Sequence, residues 1–304
     1  MGQLEGKVAV VAGATRGAGR GIACALGEAG AIVYCTGRSI RGQPSSINRP
    51  ETIEETAEMV TARGGVGIWA QVDHTKPDQV KALFKRVAEE QNGCLDILVN
   101  DISGDWHVDW KTSFGRSGRR FWEHSLEKGL LAQQAGVHSH IITSHFAAKL
   151  LVKRRQGLIV EVNDGNCLAY NNCGLFYSLT KTSAILLAYF MSEELRKYNV
   201  AVVSLTPGNM LSEMRLELEG MTDETWAEIK KRSGQKKAES CLYTGRAVVA
   251  LATDPEIMAK TGHALSTGYL AREYGFTDVD GSQPMWYVGE GIFANGRFIV
   301  EEDQ

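Results

Sequence analysis

The chain has 304 residues, of which 43% are hydrophobic and 23% are charged, and its formal net charge is −3 at pH 7. This composition supports a buried core and is typical of one large domain or two small ones. A slightly acidic chain whose basic clusters are short excludes an electrostatic nucleic-acid-binding surface as the main function.

Targeting and metal signals are missing from the sequence. The first residues contain no basic region followed by an apolar run and a cleavage site, so we expect no secretory leader. No apolar stretch approaches the roughly 18 residues of a transmembrane helix, which predicts a protein without a membrane partner. The six cysteines form no CxxC pair and no zinc-like spacing, so we expect free thiols, no metal and a cytoplasmic location.

Apolar, β-branched runs alternate with amphipathic stretches along the chain. Strands are predicted at residues 7–12, 31–35, 67–72, 95–100, 157–162 and 200–205. Helices are predicted at residues 17–30, 52–63, 78–91 and 176–198, with a further long helical stretch that ends near Arg155. This alternation predicts an α/β fold of the Rossmann-like, doubly wound type, in which helices flank both faces of a parallel sheet.

Irregular segments interrupt this pattern, but none is typical of a linker. Residues 39–50 are predicted to form a loop, and residues 102–120 an irregular excursion after the fourth strand. No internal repeat is visible. We therefore expect a single domain over residues 1–304, with a variable C-terminal tail from about residue 268.

A glycine-rich loop joins the first predicted strand to the first predicted helix. Gly13, Gly17 and Gly19 have the spacing G-x3-G-x-G. Glycines at such a turn let the backbone approach a pyrophosphate, and the N–H groups that begin the helix point at the phosphates. The position between a strand and a helix favours a dinucleotide site over an ordinary turn.

The end of the second strand indicates which dinucleotide is bound. Enzymes that use NAD place an acid there for the ribose 2′-hydroxyl, whereas this strand ends with Thr36, Gly37 and Arg38. Arg16 in the glycine loop and Arg38 suit a 2′-phosphate, because a guanidinium binds phosphate through several donors. The simpler interpretation makes both of them ordinary surface arginines, but the missing acid favours NADP(H).

Tyr177 and Lys181 lie one turn apart in the predicted helix 176–198 and therefore share a face. The glycine loop, Asn100 at the end of the fourth strand and the Pro207-Gly208 turn accompany them in matching order. On these residues the chain resembles the short-chain dehydrogenase/reductase family from about Leu4 to Thr267. The segment TGHALSTGYLAREYGFTDVDG resembles the branch of dehydrogenase/reductase family member one.

The resemblance implies an oxidoreductase with a small-molecule substrate. Tyr177 would be the general acid in reduction, and Lys181 would hold the nicotinamide ribose and ease the loss of the tyrosine proton. Members of the family often pair through the helix that carries the tyrosine, which implies a homodimer or homotetramer. The further cofactor contacts that the resemblance implies are Gly13, Thr15, Arg16, Gly17, Ala18, Gly19, Arg38, Asp73 at the adenine, His74, Asn100, Ser103, Pro207, Gly208 and Ser212.

The chain departs from the family pattern at several positions. Ala12 replaces a threonine of the loop, and Asp101 replaces the second of two adjacent asparagines. Gly136 aligns with the helical catalytic asparagine of the family. Asp164 stands where the fifth strand of the family ends in a serine that donates a hydrogen bond to the substrate oxygen.

An aspartate at the serine position leaves several interpretations open. Asp164 is protonated and donates as serine does, or it is ionised and stabilises a cationic substrate such as an iminium, or the site has lost its activity. The structural interpretation is a strand-end turn in which Asp164 caps backbone amides, while Asn163 or Asn166 serves the substrate. An ionised carboxylate would oppose the negative charge that develops during carbonyl reduction.

Histidines of the long helical stretch and tryptophans around the excursion are weaker candidates. The spacing of His138, His140 and His145 gives no common metal-ligand face, and such residues are more often packed or solvated. The tryptophans are core residues by default and line a pocket for an aromatic substrate in a second interpretation. They are Trp106, Trp110 and Trp122.

These observations together predict an NADPH-dependent reductase that transfers hydride to a C=O or C=N bond of a small organic molecule. Retention of Tyr177 and Lys181 favours an active enzyme. The competing hypothesis is a catalytically silent nucleotide-binding or interaction protein on the same fold.

Overall fold

One twisted sheet runs through the part of the chain that the structure describes. This computed structural model describes residues 2–43, 48–103, 120–165, 168, 174–218, 220, 228, 231, 238–286, 290–294 and 297–301. The strands are β1 (Val8–Ala12), β2 (Ile32–Gly37), β3 (Val66–Gln71), β4 (Ile97–Asn100), β5 (Gly157–Val162), β6 (Val200–Thr206), β7 (Asn209–Met210), β8 (Ala238–Glu239), β9 (Ala264–Ser266), β10 (Glu290–Ala294) and β11 (Arg297–Glu301).

The main sheet has the order β11-β10-β9-β6-β5-β4-β1-β2-β3. The strands from β9 along this order to β3 are parallel to one another. The hairpin of β10 and β11 adds to the β9 edge in antiparallel orientation. The chain reverses its direction of winding between β1 and β4. In doubly wound sheets, ligands bind at the carboxyl ends of the strands at this point.

Helices cover both faces of the sheet. They are α1 (Gly17–Glu28), α2 (Ile53–Ala62), α3 (Pro77–Glu90), α4 (Leu126–Gln133), α5 (Ser139–Arg154), α6 (Leu175–Leu195), α7 (Glu213–Leu218), α8 (Cys241–Thr253) and α9 (Thr267–Tyr274). A turn of π-helix, Gln134–His138, joins α4 to α5. No helix in the described ranges is long and apolar enough to cross a membrane.

Two apolar layers result from the alternation of side chains along buried strands. Ala9 and Val11 of β1 join a core with α1, α2, α8 and α9. Val8 and Val10 of the same strand join a second core with α3, α5 and α6. Every residue of β1 is buried, which explains why this strand is a continuous apolar run in the sequence.

The predicted Rossmann-like α/β fold is confirmed, with the predicted strands and helices in place to within a few residues. Two differences have physical causes. The long helical stretch that ends near Arg155 is divided, because the π-turn that includes Gly136 changes the helical period. The short strands β7, β8 and β9 were not predicted, since two or three residues carry no detectable alternation.

Other sequence expectations fall partly outside the described residues. The excursion at 102–120 is described only at its ends, and Trp106 and Trp110 lie outside the described residues. Trp122 is 69% exposed, so it does not fill the core. Four cysteines are described, and all are free thiols, as expected: Cys24, Cys35, Cys94 and Cys241.

Candidate active site

The glycine loop fits tightly between the ends of β2 and β4. Gly13 has a φ of +93°, and a Cβ there would lie 2.4 Å from the Asp101 carbonyl oxygen. A Cβ on Gly19 would lie 2.3 Å from the Gly13 carbonyl oxygen. The amides of Gly13 and Ala14 both donate to the Thr36 carbonyl, at 3.0 and 2.9 Å. Only glycine fits at these two positions, as the fingerprint predicts.

Gly17 opens α1 and presents its backbone to the carboxyl edge of the sheet. Its φ is +59°, and among the described residues a Cβ there would have only the Ser212 Cβ within 4 Å, at 3.9 Å. The Gly17 amide donates to Glu213 Oε2 at 2.8 Å, and Arg20 Nε lies 3.8 Å from Glu213 Oε1. An anionic oxygen therefore binds at the helix N-terminus, where Ala18 also lies. These donors fit a phosphate.

Arg16 precedes α1 and is paired with Glu51, an acid that the sequence pattern did not predict at this site. Its Nε donates to Glu51 Oε2 at 3.2 Å, and Arg49 Nε reaches the same oxygen at 3.2 Å. Arg16 Nη2 is buried and has no hydrogen-bond partner in the described part of the chain. Burial lowers the pKa of Arg16, and the Glu51 carboxylate opposes that shift. Nearby, a Cβ on Gly37 would meet Thr15 Oγ1 at 2.6 Å, so the loop packs on the end of β2.

Asp73 and Arg38 lie at the same edge, near the expected adenosine. Asp73 Oδ1 accepts from the Thr75 amide at 3.0 Å and from its hydroxyl at 2.7 Å. Burial raises the pKa of Asp73, but the hydrogen bonds from Thr75 and the charge of exposed Arg38 outweigh burial and lower it. Asp73 is therefore an anion at this edge of the sheet.

The imidazole of His74 is engaged by side chains of the protein interior. Its Nε2 lies 2.8 Å from Thr36 Oγ1 and its Nδ1 lies 2.9 Å from Thr143 Oγ1. The residue is 3% exposed, and burial lowers the pKa of His74 to about 3. Because both ring nitrogens are used inside the protein, a cofactor contact at His74 would involve its backbone.

A buried polar cluster supports the segment that follows β4. Asn100 Nδ2 donates to Ser144 Oγ at 2.8 Å and to Glu161 Oε1 at 2.7 Å. His140 Nδ1 lies 2.5 Å from Glu161 Oε2, and its Nε2 lies 2.9 Å from the Ile102 carbonyl oxygen. The cluster ties β4, β5 and α5 together below the cofactor edge. Asn100 is thus held inside the core, and its contact with the cofactor stays a prediction.

The surroundings of His140 favour its protonated form. Burial alone would lower the pKa of His140, but Glu161, the Ile102 carbonyl and Asp101 outweigh burial and raise it. A protonated imidazole donates through both nitrogens, which matches its two acceptors. None of the described His, Cys, Asp and Glu residues form a group suited to a metal.

Tyr177, Lys181 and Asp164 meet at the carboxyl end of β5. Tyr177 Oη donates to Asp164 Oδ2 at 2.5 Å. Lys181 Nζ lies 5.5 Å from the centre of the Tyr177 ring, and the tyrosine is 6% exposed. The turn after β5 is closed by Asn163, whose Nδ2 donates to the Gly165 carbonyl at 2.7 Å. Asp164 therefore reaches the tyrosine, while Asn163 satisfies the turn; Asn166 lies outside the described residues.

The loop after β6 borders the same edge from the other side. The Gly165 amide donates to Thr206 Oγ1 at 2.7 Å, which joins the ends of β5 and β6. A Cβ on Gly208 would lie 2.7 Å from the Trp286 Cβ, so a larger residue after Pro207 would require the neighbouring segment to shift. Ser103, the last described residue before residue 120, lies beyond β4 on this edge.

The sequence did not predict the contacts made by three acids that distant segments supply. Glu51 is separated from Arg16 by 35 residues and Glu213 from Gly17 by 196 residues. Glu161 meets His140 across 21 residues. No spacing rule connects such pairs. The only available signal was the acid within a buried strand for Glu161, because ionisable groups are rarely fully buried without a partner.

Comparison with known proteins identifies the fold family. The short chain dehydrogenase family model matches residues 7–222. The chain is 35% identical over 282 residues to Dehydrogenase/reductase SDR family member 1 of Homo sapiens, covering 91% of this chain and 85% of that protein. This chain belongs to the short-chain dehydrogenase/reductase family. The resemblance to the family-member-one branch is thereby confirmed.

Solved structures of short-chain dehydrogenases show the same fold. A short chain dehydrogenase of Mycobacterium thermoresistibile superposes with a TM-score of 0.75 at 22% identity, covering 93% of this chain and 92% of that one. A variant of actinorhodin polyketide ketoreductase, solved with NADPH, superposes with a TM-score of 0.66 at 21% identity, covering 87% of this chain and 96% of that one. As a family member, the chain is an oxidoreductase that binds a nicotinamide cofactor.

Proposed function

We propose that this protein is an NADPH-dependent reductase whose substrate carries a positively charged C=N bond at the reacting carbon. The observation that carries the proposal is the hydrogen bond from Tyr177 to Asp164, 2.5 Å long, beside Lys181. A carboxylate is thus in direct contact with the tyrosine that the family uses as its acid. The position of that carboxylate determines which substrate charge the site favours.

The cofactor preference rests on the cationic groups at the adenosine edge. Arg16 has a buried Nη2 that lacks a partner among the described residues, and Arg38 is exposed nearby at the end of β2. The Gly17 amide already donates to an anionic group, the Glu213 carboxylate, which supports binding of a phosphate. NADPH would supply the hydride, as the ligand of the related ketoreductase is NADPH. Arg16 and Arg38 would bind its 2′-phosphate.

The Tyr177–Asp164 pair suits a cation better than a neutral carbonyl. Hydride transfer to a carbonyl develops negative charge on oxygen, which a neighbouring carboxylate opposes. An iminium arrives with a positive charge and becomes neutral as its carbon accepts hydride, so no proton is needed at nitrogen. Opposite unit charges about 4 Å apart attract by roughly 4 kcal/mol at an effective dielectric near 20, before desolvation is subtracted.

Only part of that attraction changes the chemical step. Because the substrate loses its charge during hydride transfer, Asp164 binds the ground state more strongly than the product. Its main effect is therefore to hold the iminium in place and to favour it over the hydrolysed carbonyl form. Lys181 lies on the same helical face as Tyr177 and would orient the nicotinamide ribose, so that the reacting carbon faces Asp164.

Oxidation of NADPH with matched cyclic imines and ketones tests this function. We expect wild-type protein to reduce the imines, and Asp164→Asn to lower kcat/KM for imines by at least ~10-fold, since it keeps the shape and removes the charge. Asp164→Ser should shift preference toward ketones. Tyr177→Phe should lower ketone reduction in the Asp164→Ser background by ~10²-fold, as for a lost general acid.

Two outcomes contradict the proposal. If the wild type reduces ketones, ignores cyclic imines and gains nothing from Asp164→Ser, then Asp164 is a neutral donor or a turn residue. If NADPH binds but no member of the panel is reduced, the protein is a silent nucleotide-binding module. The cytoplasmic location expected from the sequence stays a prediction and does not enter this test.

We also propose that the protein forms a homo-oligomer through the face of α4 and α6. Six apolar side chains on these helices are between 39% and 65% exposed. The helices pack closely on each other, since Gln133 Nε2 donates to the Phe176 carbonyl at 2.8 Å and to Thr180 Oγ1 at 3.0 Å. The exposed residues are Leu126, Leu130, Leu131, Leu175, Leu179 and Phe190.

A further inference from the structure

The acid missing from the end of β2 is supplied by another segment. Glu51 precedes Thr52, the residue whose hydroxyl caps α2 by accepting from the Glu55 amide. The Glu51 carboxylate is 7% exposed and accepts from Arg16 Nε at 3.2 Å. The second strand itself ends without an acid, at Arg38. A carboxylate therefore lies at the adenosine edge although the local sequence pattern lacks one.

Glu51 joins two arginines into one charge network. Arg49 binds both oxygens of Glu51, through Nε at 3.2 Å and through Nη2, and its Nη1 binds Glu217 of α7. The side chains of Arg16 and Arg49 are 16% and 12% exposed. Burial raises the pKa of Glu51, but the Arg49 hydrogen bond and the charges of both arginines lower it. Glu51 is accordingly an anion whose charge is shared between Arg16 and Arg49.

The bond geometry leaves Arg16 able to bind one more acceptor. Glu51 uses the Nε of Arg16, whereas Nη2 is buried without a partner in the described ranges. Burying an unpaired donor of a charged group is costly, so this atom is suited to a ligand oxygen. A phosphate at Nη2 would approach a guanidinium whose other side already carries a carboxylate, and the two anions would repel each other.

We propose that Glu51 is a specificity-determining residue that weakens binding of the 2′-phosphate and so limits the preference of this enzyme for NADP(H) over NAD(H). The inference rests on the proposed function, in which Arg16 contacts that phosphate. NADH has a 2′-hydroxyl in place of the phosphate, so it carries no charge at the 2′ position for Glu51 to repel. Glu51 thereby sets the ratio of the two affinities without contacting the nicotinamide or the reacting carbon.

Direct binding measurements with the full chain test this role. The ligands are NADPH, NADH, 2′,5′-ADP and 5′-AMP, titrated calorimetrically against wild type, Glu51→Gln and Glu51→Ala. Glutamine keeps an acceptor for Arg16 Nε and removes the charge. We expect Glu51→Gln to bind NADPH and 2′,5′-ADP about tenfold more tightly, with NADH and 5′-AMP within about twofold of wild type. Glu51→Ala should also strengthen binding of NADPH and 2′,5′-ADP. That result would show that the effect comes from loss of the carboxylate charge and not from the glutamine side-chain amide.

Glu58→Gln is the matched control for the charge change. Glu58 lies on the exposed surface of α2, where it pairs with Arg41 at 2.6 Å. It should leave all four affinities unchanged. If both Glu51 variants weaken 2′,5′-ADP or leave it unchanged, Glu51 only positions Arg16 and the inference is overturned.

Failure of the proposed cofactor preference gives a different result. Arg16→Met and Arg38→Ala should each weaken NADPH and 2′,5′-ADP without affecting NADH. If neither does so, the 2′-phosphate does not bind these arginines, and the NADP(H) proposal is wrong whatever the Glu51 variants do. If the arginine variants behave as expected and the Glu51 variants do not, only the role of Glu51 is wrong.

Discussion

His74 and His140 are buried close together, but their pKa values are shifted in opposite directions. Burial lowers the pKa of His74 to about 3, and the charge of His140 contributes to this shift. His140 faces Glu161 from β5, Asp101 from the segment after β4 and His74 from the segment after β3, and its pKa is raised. His140 therefore stabilises the fold below its unfolded pKa of about 6.5, and this contribution is lost as pH rises through the folded value.

His74 gives the opposite pH dependence. Its folded pKa lies below the unfolded value, so the unfolded chain binds the additional proton between about pH 6.5 and pH 3, and stability is lost as pH falls. We expect the free energy of unfolding to fall by about 2 kcal/mol between pH 7 and 5 from this residue. His74→Asn, which keeps polar contacts to Thr36 and Thr143, should remove much of that loss in urea titrations at both pH values.

The exposed His145 provides a control for this experiment. His145→Asn should retain the wild-type difference in unfolding free energy between pH 7 and 5. If His74→Asn showed the same difference in unfolding free energy between pH 7 and 5 as the wild type, His74 would not be neutral in the folded protein. The window above pH 5 is chosen because ordinary carboxylates titrate below it.

At the scale of elements, α7 lies against the N-terminus of α1. Glu213, the first residue of α7, accepts from the Gly17 amide at 2.8 Å, and Glu217 of the same helix binds Arg49. A cofactor pyrophosphate would use the same amide, so its binding requires the Glu213 carboxylate to move. Both dinucleotides carry this pyrophosphate, and the effect of Glu213 should therefore not depend on the 2′-phosphate.

Removing the Glu213 charge should strengthen cofactor binding in general. We expect Glu213→Gln to raise the affinity for NADH and NADPH alike by about tenfold, because an amide competes less well than a carboxylate for the helix N-terminus. Calorimetric titration of both dinucleotides measures this change. Glu217→Gln, on the same helix, should leave NADH affinity unchanged. An unchanged NADH affinity in Glu213→Gln would mean that the carboxylate moves away without cost.

At the scale of the whole molecule, the sequence predicts best what depends on local periodicity. The strand 157–162 was predicted with the bounds that the structure has, because every second side chain enters the same core. The Tyr177 and Lys181 pair follows from helical spacing in the same way. The contact of Tyr177 with Asp164 was not predicted as geometry, although the unusual residue at position 164 was recognised.

Long-range charge pairs and short elements account for most of what the sequence could not predict. Glu51 meets Arg16 only because the loop before α2 folds back to the glycine loop, and no local pattern encodes that return. The hairpin of β10 and β11 likewise depends on pairing at Gly291 with the short strand β9. Both features are set by tertiary packing, which overrides local propensity.

In the described part of the chain, the exposed apolar residues of α4 and α6 are those that fit the proposed homo-oligomer interface. Leu126 and Leu130, like Leu175 and Leu179, are one helical turn apart and form two exposed stripes. Clustered apolar surface of this kind marks association sites, and a stable dimer buries about 1,600 Å² in total. A second copy offers the same stripes in a symmetric interface.

Leu130→Glu combined with Leu179→Glu should raise the dimer dissociation constant at least ~100-fold, since an unpaired buried charge costs several kcal/mol. Sedimentation velocity measures the change, and Val279→Glu, at a residue 46% exposed and outside both stripes, should leave association unchanged. A wild-type protein that stays monomeric at high micromolar concentration would contradict this interface.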